Sequence, residues 1–184
     1  KEWGMEQIVR DTRIATLYEG TTGIQALDLL GRKILLSRGK SLKSFTMEVL
    51  SFCKDKSMIS SNPHKRQMNK FIWPLSKAVA NWQQYSVRLA IKAKKDRDIV
   101  GSASVDYLMY SGYIVMGYFW AQMAQAAYEK LATDVENRDF YRAKIKTAEF
   151  YFERLLPRTK SHAATMMADP KTLMQLDEEL LSFL

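Results

Sequence analysis

The sequence predicts an all-α protein: an antiparallel bundle of about four to five helices, preceded by a helix–turn–helix. Three observations lead there. Apolar residues recur at steps of three and four over long stretches, alternating apolar–polar runs are scarce, and only 8 Gly and 4 Pro interrupt 184 residues. A chain with helical period and few breakers buries its apolar stripes by packing helix on helix.

The elements follow in order. A helix is expected from about Trp3 to Leu17, ending near Gly20, and a second from Thr22 to about Ser37. Thr22-Gly23-Ile24-Gln25 has the form of a capping box, in which the Thr oxygen takes an orphan N–H and the Gln reaches back. The start of this second helix leaves backbone donors and a positive dipole end just after Glu19 and Gly20. A carboxylate at a helix–helix turn, followed by such a start, suits a negatively charged cofactor. A helix over 41–54 comes next, then a Ser-rich loop over 56–62 closed by Asn62-Pro63.

Met68, Ile72, Leu75, Val79, Trp82, Ser86, Leu89 and Ala93 form one stripe of a long helix. Pro74 lies within it, removes one backbone donor, and should kink the helix or mark its true start. Residues 102–132 form a second long helix, apolar on more than one side from Tyr107 to Met123. It is expected at the centre of the bundle, with Leu108, Val115 and Phe119 buried. Ser111, Gly112, Gly117 and Gln122 interrupt it too often for a membrane span. A third helix fits 137–156, capped by Asn137, with Phe140, Ala148, Tyr151, Phe152 and Leu155 on one face. Pro157 ends or bends it, helical pattern resumes to Met167, and a last helix fits 171–183 after Asp169-Pro170.

Composition excludes several classes. The net charge is +8, but the basic residues are scattered, and Lys92-Ala93-Lys94-Lys95 runs straight into Asp96-Arg97-Asp98. That run reads as a solvated helix end, and no nucleic-acid partner is expected. A single cysteine, Cys53, rules out an internal disulfide framework; it reads as a packed or idle thiol and suits a reducing, cytoplasmic setting. Residues 1–20 hold no apolar signal-peptide core, and the start at Lys1 suggests a piece of a longer chain. His64 and His162 stand far apart without ligand spacing, so no metal site is expected. Asp177-Glu178-Glu179 reads as a solvated face, and no Gly-x-Ser-x-Gly elbow supports a serine nucleophile. Trp73, Trp82, Tyr85, Tyr118, Trp120 and Met123 read as core or interface.

One run carries chemistry. Arg10-Asp11-Thr12-Arg13-Ile14-Ala15-Thr16-Leu17-Tyr18-Glu19-Gly20-Thr21-Thr22-Gly23-Ile24-Gln25 closely resembles a signature of acyl-CoA dehydrogenases, in which an Arg-Asp helix leads into Tyr-Glu-Gly-Thr and then Ile-Gln. Further on, Val105-Asp106-Tyr107-Leu108 and Phe150-Tyr151-Phe152-Glu153-Arg154-Leu155-Leu156-Pro157 resemble segments of an extended subgroup. That subgroup, similar to dehydrogenases acting on methylthiopropionyl-CoA, carries an extra C-terminal helical domain. The resemblance implies that residues 1–40 end the dehydrogenase's C-terminal helical domain and that 41–184 form the extra bundle. It implies α,β-oxidation of an acyl-CoA thioester, with Glu19 as the catalytic base, Gly20 contacting substrate, and Thr21, Thr22 and Gly23 contacting FAD. Gly23 stands where many members carry Gln, which leaves a backbone N–H for that contact. It also implies an electron-transfer acceptor and a homo-oligomeric intact enzyme. No strands are present for the family's middle β domain, so these 184 residues alone are expected neither to hold flavin nor to turn over. The competing reading is a non-catalytic helical assembly module, favoured by the lack of a polar catalytic cluster after residue 40.

Overall fold

The computed structural model describes residues 4–18, 20–133, 136–174 and 178–183. Among these the fold is all-helical. The helices are α1 (Met5–Tyr18), α2 (Thr22–Leu27), α3 (Lys40–Lys56), α4 (Lys65–Ala93), α5 (Asp98–Leu131), α6 (Arg138–Phe150), α7 (Thr159–Met166) and α8 (Lys171–Met174). α2 continues without a break into a π-helical stretch, Asp28–Leu36, so the helix expected over 22–37 changes its winding midway. α6 likewise runs through a π turn, Tyr151–Leu155, and a 3-10 turn, Leu156–Arg158, into α7. The expected terminal helix is represented by α8 and a 3-10 stretch, Glu178–Phe183, with 175–177 outside the described residues.

Side-chain pairs fix the directions. Going up α3 from Thr46 to Cys53 means going down α4 from Gln83 to Ser76, so the two run antiparallel. Tyr110 of α5 donates to the carbonyl of Ala78, while Tyr107 meets Ser86, so α5 runs against α4. Lys144 stacks on Trp120 and Tyr151 donates to the carbonyl of Tyr113, so α6 runs against α5. One apolar core runs from Leu30 to Met166, with Phe71, Leu75, Tyr107, Tyr110 and Ile114 among its fully buried members.

Four expectations need correction. α4 neither starts at Pro74 nor stops there; it begins at Lys65 and passes through. The lost N–H leaves the Lys70 carbonyl without its helical donor, a cost outweighed by burying Met68, Phe71, Ile72 and Leu75 on both sides of the proline. α5 is central, packing against α2, α4, α6 and α7, but Phe119 is exposed and Leu108 and Val115 are half-buried. Its contact faces carry Ala103, Ser104, Gly117, Ala121 and Ala124 instead, because small side chains let several helices approach one axis. Asn137 precedes α6 but makes no side-chain cap bond, and Phe140 points to solvent. Of the residues read as core or interface, Trp73 stands outside the core, 70% exposed, which leaves the interface reading for it.

Candidate functional site

The signature run folds as α1, a turn and α2. Within α1 the Arg10 guanidinium reaches Glu6 at 2.7 Å, and Gln7 donates to Asp11 at 2.7 Å. Pairs four apart on one helix are worth a few tenths of a kcal/mol each, so the Arg-Asp part of the motif stiffens its own helix. Every described side chain of α1 is exposed, including Met5, Ile8, Val9, Ile14, Leu17 and Tyr18.

Glu19 lies outside the described residues. Gly20, next to it, is exposed with φ +80°, in the left-handed region where an L side chain is strained. Thr21 is extended (φ −75°, ψ 154°) and caps α2: its hydroxyl oxygen accepts from the Ile24 N–H at 3.4 Å, and its carbonyl accepts from the Gln25 N–H at 3.2 Å. The cap is thus Thr21, one residue earlier than the box expected at Thr22, which is itself the first helical residue. The reason is local: extended Thr21 follows left-handed Gly20, so helical backbone begins at Thr22. Gly23 has no atom within 4 Å of where a Cβ would sit, so its face of the turn is open.

Ala26 and Leu30, one and two turns on, are fully buried against the bundle. The turn therefore sits where an anchored helix meets one that nothing in the bundle covers. Asp28 follows, with Arg32 and Lys33 on its carboxylate. Burial alone would raise its pKa, but the two cations outweigh this and hold it below the usual carboxylate range.

Elsewhere the structure adds a pair that sequence reading missed. His162 Nδ1 lies 2.8 Å from Asp106 Oδ1, and its ring stacks on Tyr113 at 5.7 Å. The partners are 56 residues apart, so no local spacing announces them; only docking α7 on α5 brings them together. His64 stacks on Tyr128 instead, and no metal-holding group occurs among the described residues. Cys53 is buried beside Ser76, and burial pushes its thiol up, away from the reactive thiolate. A groove of about 560 Å³ between the π stretch, α3 and α4 has apolar walls (Leu35, Leu42, Val87) and Arg38, Lys43 and Lys94 at its edge. Among the described residues no helix is long and apolar enough to cross a membrane.

The class defined by this fold is an all-helical bundle preceded by a helix–turn–helix that holds the Tyr18-Glu19-Gly20-Thr21 run. The family model "Acetyl-CoA dehydrogenase C-terminal like" matches residues 45–177, from within α3 through α8, and the chain belongs to that family. Similar proteins include a broad-specificity linear acyl-CoA dehydrogenase of Mycobacterium tuberculosis, 30% identical over 188 aligned positions, covering 97% of this chain and 30% of the relative. A 3-methylmercaptopropionyl-CoA dehydrogenase of Ruegeria pomeroyi is 32% identical over 156 positions, 85% of this chain and 26% of the relative. A butyryl-CoA dehydrogenase of Syntrophomonas wolfei is 24% identical over 182 positions, covering 97% of this chain and 29% of the relative. The chain therefore spans under a third of the length of these relatives.

Proposed function

We propose that these residues are the C-terminal portion of an FAD-dependent acyl-CoA dehydrogenase that oxidises an acyl-CoA thioester between its α and β carbons. Residues 1–40 would close its catalytic helical domain, and 41–184 would form an added bundle. The observation that carries the reading is the Tyr18-Glu19-Gly20-Thr21 run between two helices of a chain in this family.

In this reading the Glu19 carboxylate takes the α proton. Its basicity rises when substrate expels water from around it. The resemblance assigns the Glu19 backbone N–H as a donor to the thioester oxygen, where negative charge develops and a fixed donor lowers the barrier. Gly20, exposed and without a side chain, lets the substrate approach the backbone closely. FAD, when bound, supplies the hydride acceptor at the β carbon. The turn fits one edge of such a group: the Thr22 side chain is exposed and the Gly23 face is open. Thr21 Oγ1 already accepts from Ile24, which leaves its O–H free to donate. Remaining walls, the acyl-CoA pocket and contact with an electron-transfer acceptor would come from outside these residues and, in a homo-oligomer, from a second subunit. The buried, protonated Cys53 accords with a cytoplasmic setting.

The test is Glu19→Gln in the complete dehydrogenase. The amide keeps the shape but cannot accept the proton, so acyl-CoA oxidation should fall by about 10²-fold or more, with the flavin spectrum and circular dichroism retained. A folded, flavin-loaded variant with parental turnover overturns the assignment. A second reading, an assembly module over 41–184, is favoured by the outward face of α5.

A further inference from the structure

The groove of about 560 Å³ beside the π stretch has walls of Ile34 and Leu35, of Leu42 and Met47 from α3, and of Val87 and Ala90 from α4. A second lobe of about 610 Å³ continues it to Val100, with Leu35, Ala90 and Lys94 lining both. Each lobe falls in the size range of small-molecule sites, roughly 300–1,000 Å³. The polar side chains of the wall are engaged within the bundle. Gln83 donates to Thr46 at 2.6 Å, and Ser86 donates to the Trp82 carbonyl while meeting the Tyr107 hydroxyl. A polar ligand body gains little from such a wall, whereas a hydrocarbon loses only water.

The rim is the reverse. Arg38, Lys43 and Lys94 stand exposed along it, and none of the three makes an ion pair among the described residues. No acidic residue lines either lobe, and Asp28, the carboxylate of the π stretch, is held by Arg32 and Lys33. Cations gathered at an apolar groove without a counter-charge favour an anion supplied from outside.

We infer that this groove binds a long-chain fatty carboxylate, its hydrocarbon along Leu42, Val87 and Ala90 and its head among Arg38, Lys43 and Lys94. Two lobes joined end to end suit one extended chain. The Arg38 guanidinium can take a carboxylate through two parallel hydrogen bonds. A nucleotide would set its polar sugar against apolar walls instead. The wall at Ile34 lies about three turns along the continuous helix that begins at Thr22. The groove is therefore a site apart from the 19–23 turn, and the inference is independent of the catalytic reading.

The test titrates the 184-residue chain with sodium laurate, kept below micelle formation, by isothermal titration calorimetry. A single laurate should bind per chain. Dodecanol, the same chain without the charge, should bind about tenfold more weakly, and acetate, the charge without the chain, should not bind. Lys43→Gln combined with Lys94→Gln, both at exposed positions, should weaken laurate about tenfold and leave dodecanol unchanged. Val87→Asp, also exposed, puts a charge into the wall and should weaken both ligands. Each variant should keep the parental circular dichroism. Hydrogen exchange supplies a second readout: laurate should slow the amides of Gly39 and Lys43 and leave those of α6 unchanged. A chain that does not bind laurate overturns the inference. Dodecanol binding as tightly as laurate overturns the assignment of the head. Variants that bind laurate like the parent overturn the placement, since the chain then lies elsewhere, for example on the exposed apolar residues of α1. Capture by phosphatidylglycerol vesicles without binding of free laurate overturns it in favour of a membrane surface. In the complete dehydrogenase, laurate binding that the Lys43→Gln and Lys94→Gln pair does not weaken overturns it too, because the rest of the polypeptide then covers the groove.

Discussion

α1 and α5 are opposites. α1 carries the motif that names the chemistry, yet each of its described side chains is exposed. α5 carries no catalytic motif, yet it touches α2, α4, α6 and α7 and supplies Tyr107, Tyr110 and Ile114 to the core. An isolated helix of 14 residues is marginal in water, and α1 gains little from packing on the bundle, since its described side chains are exposed. The part that carries the signature run and the part that gives this chain its stability are thus separate, joined at the turn before the buried Ala26.

The largest effect that sharpens this contrast is a core truncation set against a surface one. Ile114 is fully buried and Ile8 is 57% exposed. Ile114→Ala should cost about 2–5 kcal/mol, and Ile8→Ala should stay within about 0.5 kcal/mol, both read from urea unfolding of the chain. Hydrogen exchange should show the same division, with α1 amides exchanging fast and α5 amides near the global limit. An equal cost for the two substitutions would dissolve the comparison.

Tyr107→Phe comes next. Ser86 donates to the Trp82 carbonyl at 2.7 Å, so the buried Tyr107 hydroxyl, 2.7 Å away, is the donor to Ser86. The buried Trp82 indole N–H has no hydrogen-bond partner among the described residues, though it lies near enough to Tyr107 to affect its ionisation. Removing the hydroxyl leaves Ser86 short of a donor, a loss of about 1–3 kcal/mol in stability. Burial pushes the Tyr107 hydroxyl up to about 12, against smaller opposing effects of Ser86 and Trp82. Its folded pKa lies above its unfolded value, so its contribution to stability is intact below about pH 10 and is lost as pH rises towards 12. Tyr107→Phe should therefore flatten the alkaline fall of stability measured by denaturant titration.

How much of this was legible beforehand differs between the two regions. The helices were readable because their apolar period is long and their breakers few; the 68–93 stripe and the centrality of α5 needed nothing else. What periodicity cannot say is how many neighbours a helix has. That is why Leu108, Val115 and Phe119 were expected inside, when a crowded axis selects Ala and Gly for its contacts. Asn137 was expected to cap α6 by residue type, but its φ of −96° and ψ of 55° lie outside the extended backbone typical of a cap. At the candidate site the motif itself was legible residue by residue. The cap was misread by one position because Gly20's left-handed φ is a property of the folded turn, which the letters Thr21-Thr22 do not distinguish. The His162–Asp106 contact had no sequence signal at all.

Gly39→Ala is a smaller perturbation at the entry to the bundle. Arg38 and Gly39 both have positive φ, and the Gly39 N–H closes the π stretch on the Ile34 carbonyl at 2.8 Å. Open space surrounds the missing Cβ, so the cost is backbone strain alone, about 1–2 kcal/mol. Thermal unfolding should register it as a shift of several degrees downward; no shift would mean that the turn relaxes freely.

The smallest effect tests whether surface charge ties α6 to α4. Glu149 bonds Lys146 on its own helix at 2.8 Å and Lys70 across on α4. Lys146 and Lys70 together hold its carboxyl below the usual range, against an opposing effect of burial. Lys70 has its ammonium stabilised in turn: burial lowers its pKa, but Glu149 and Tyr128 outweigh this and raise it. The Lys70 side chain is 45% exposed, so solvent screens the pair, and it is worth about 0.2–1 kcal/mol. A carboxyl whose folded pKa is depressed contributes stability above its unfolded pKa, near 4.3, and loses it as pH falls through the folded value. Glu149→Gln should therefore cost this small amount at neutral pH, and the gap to the parent chain should close in acid. Added salt should narrow the gap at neutral pH as well. A difference that persists unchanged in acid and in salt would mean that Glu149 holds α6 by packing, and that the bundle around α5 needs no charge to close it.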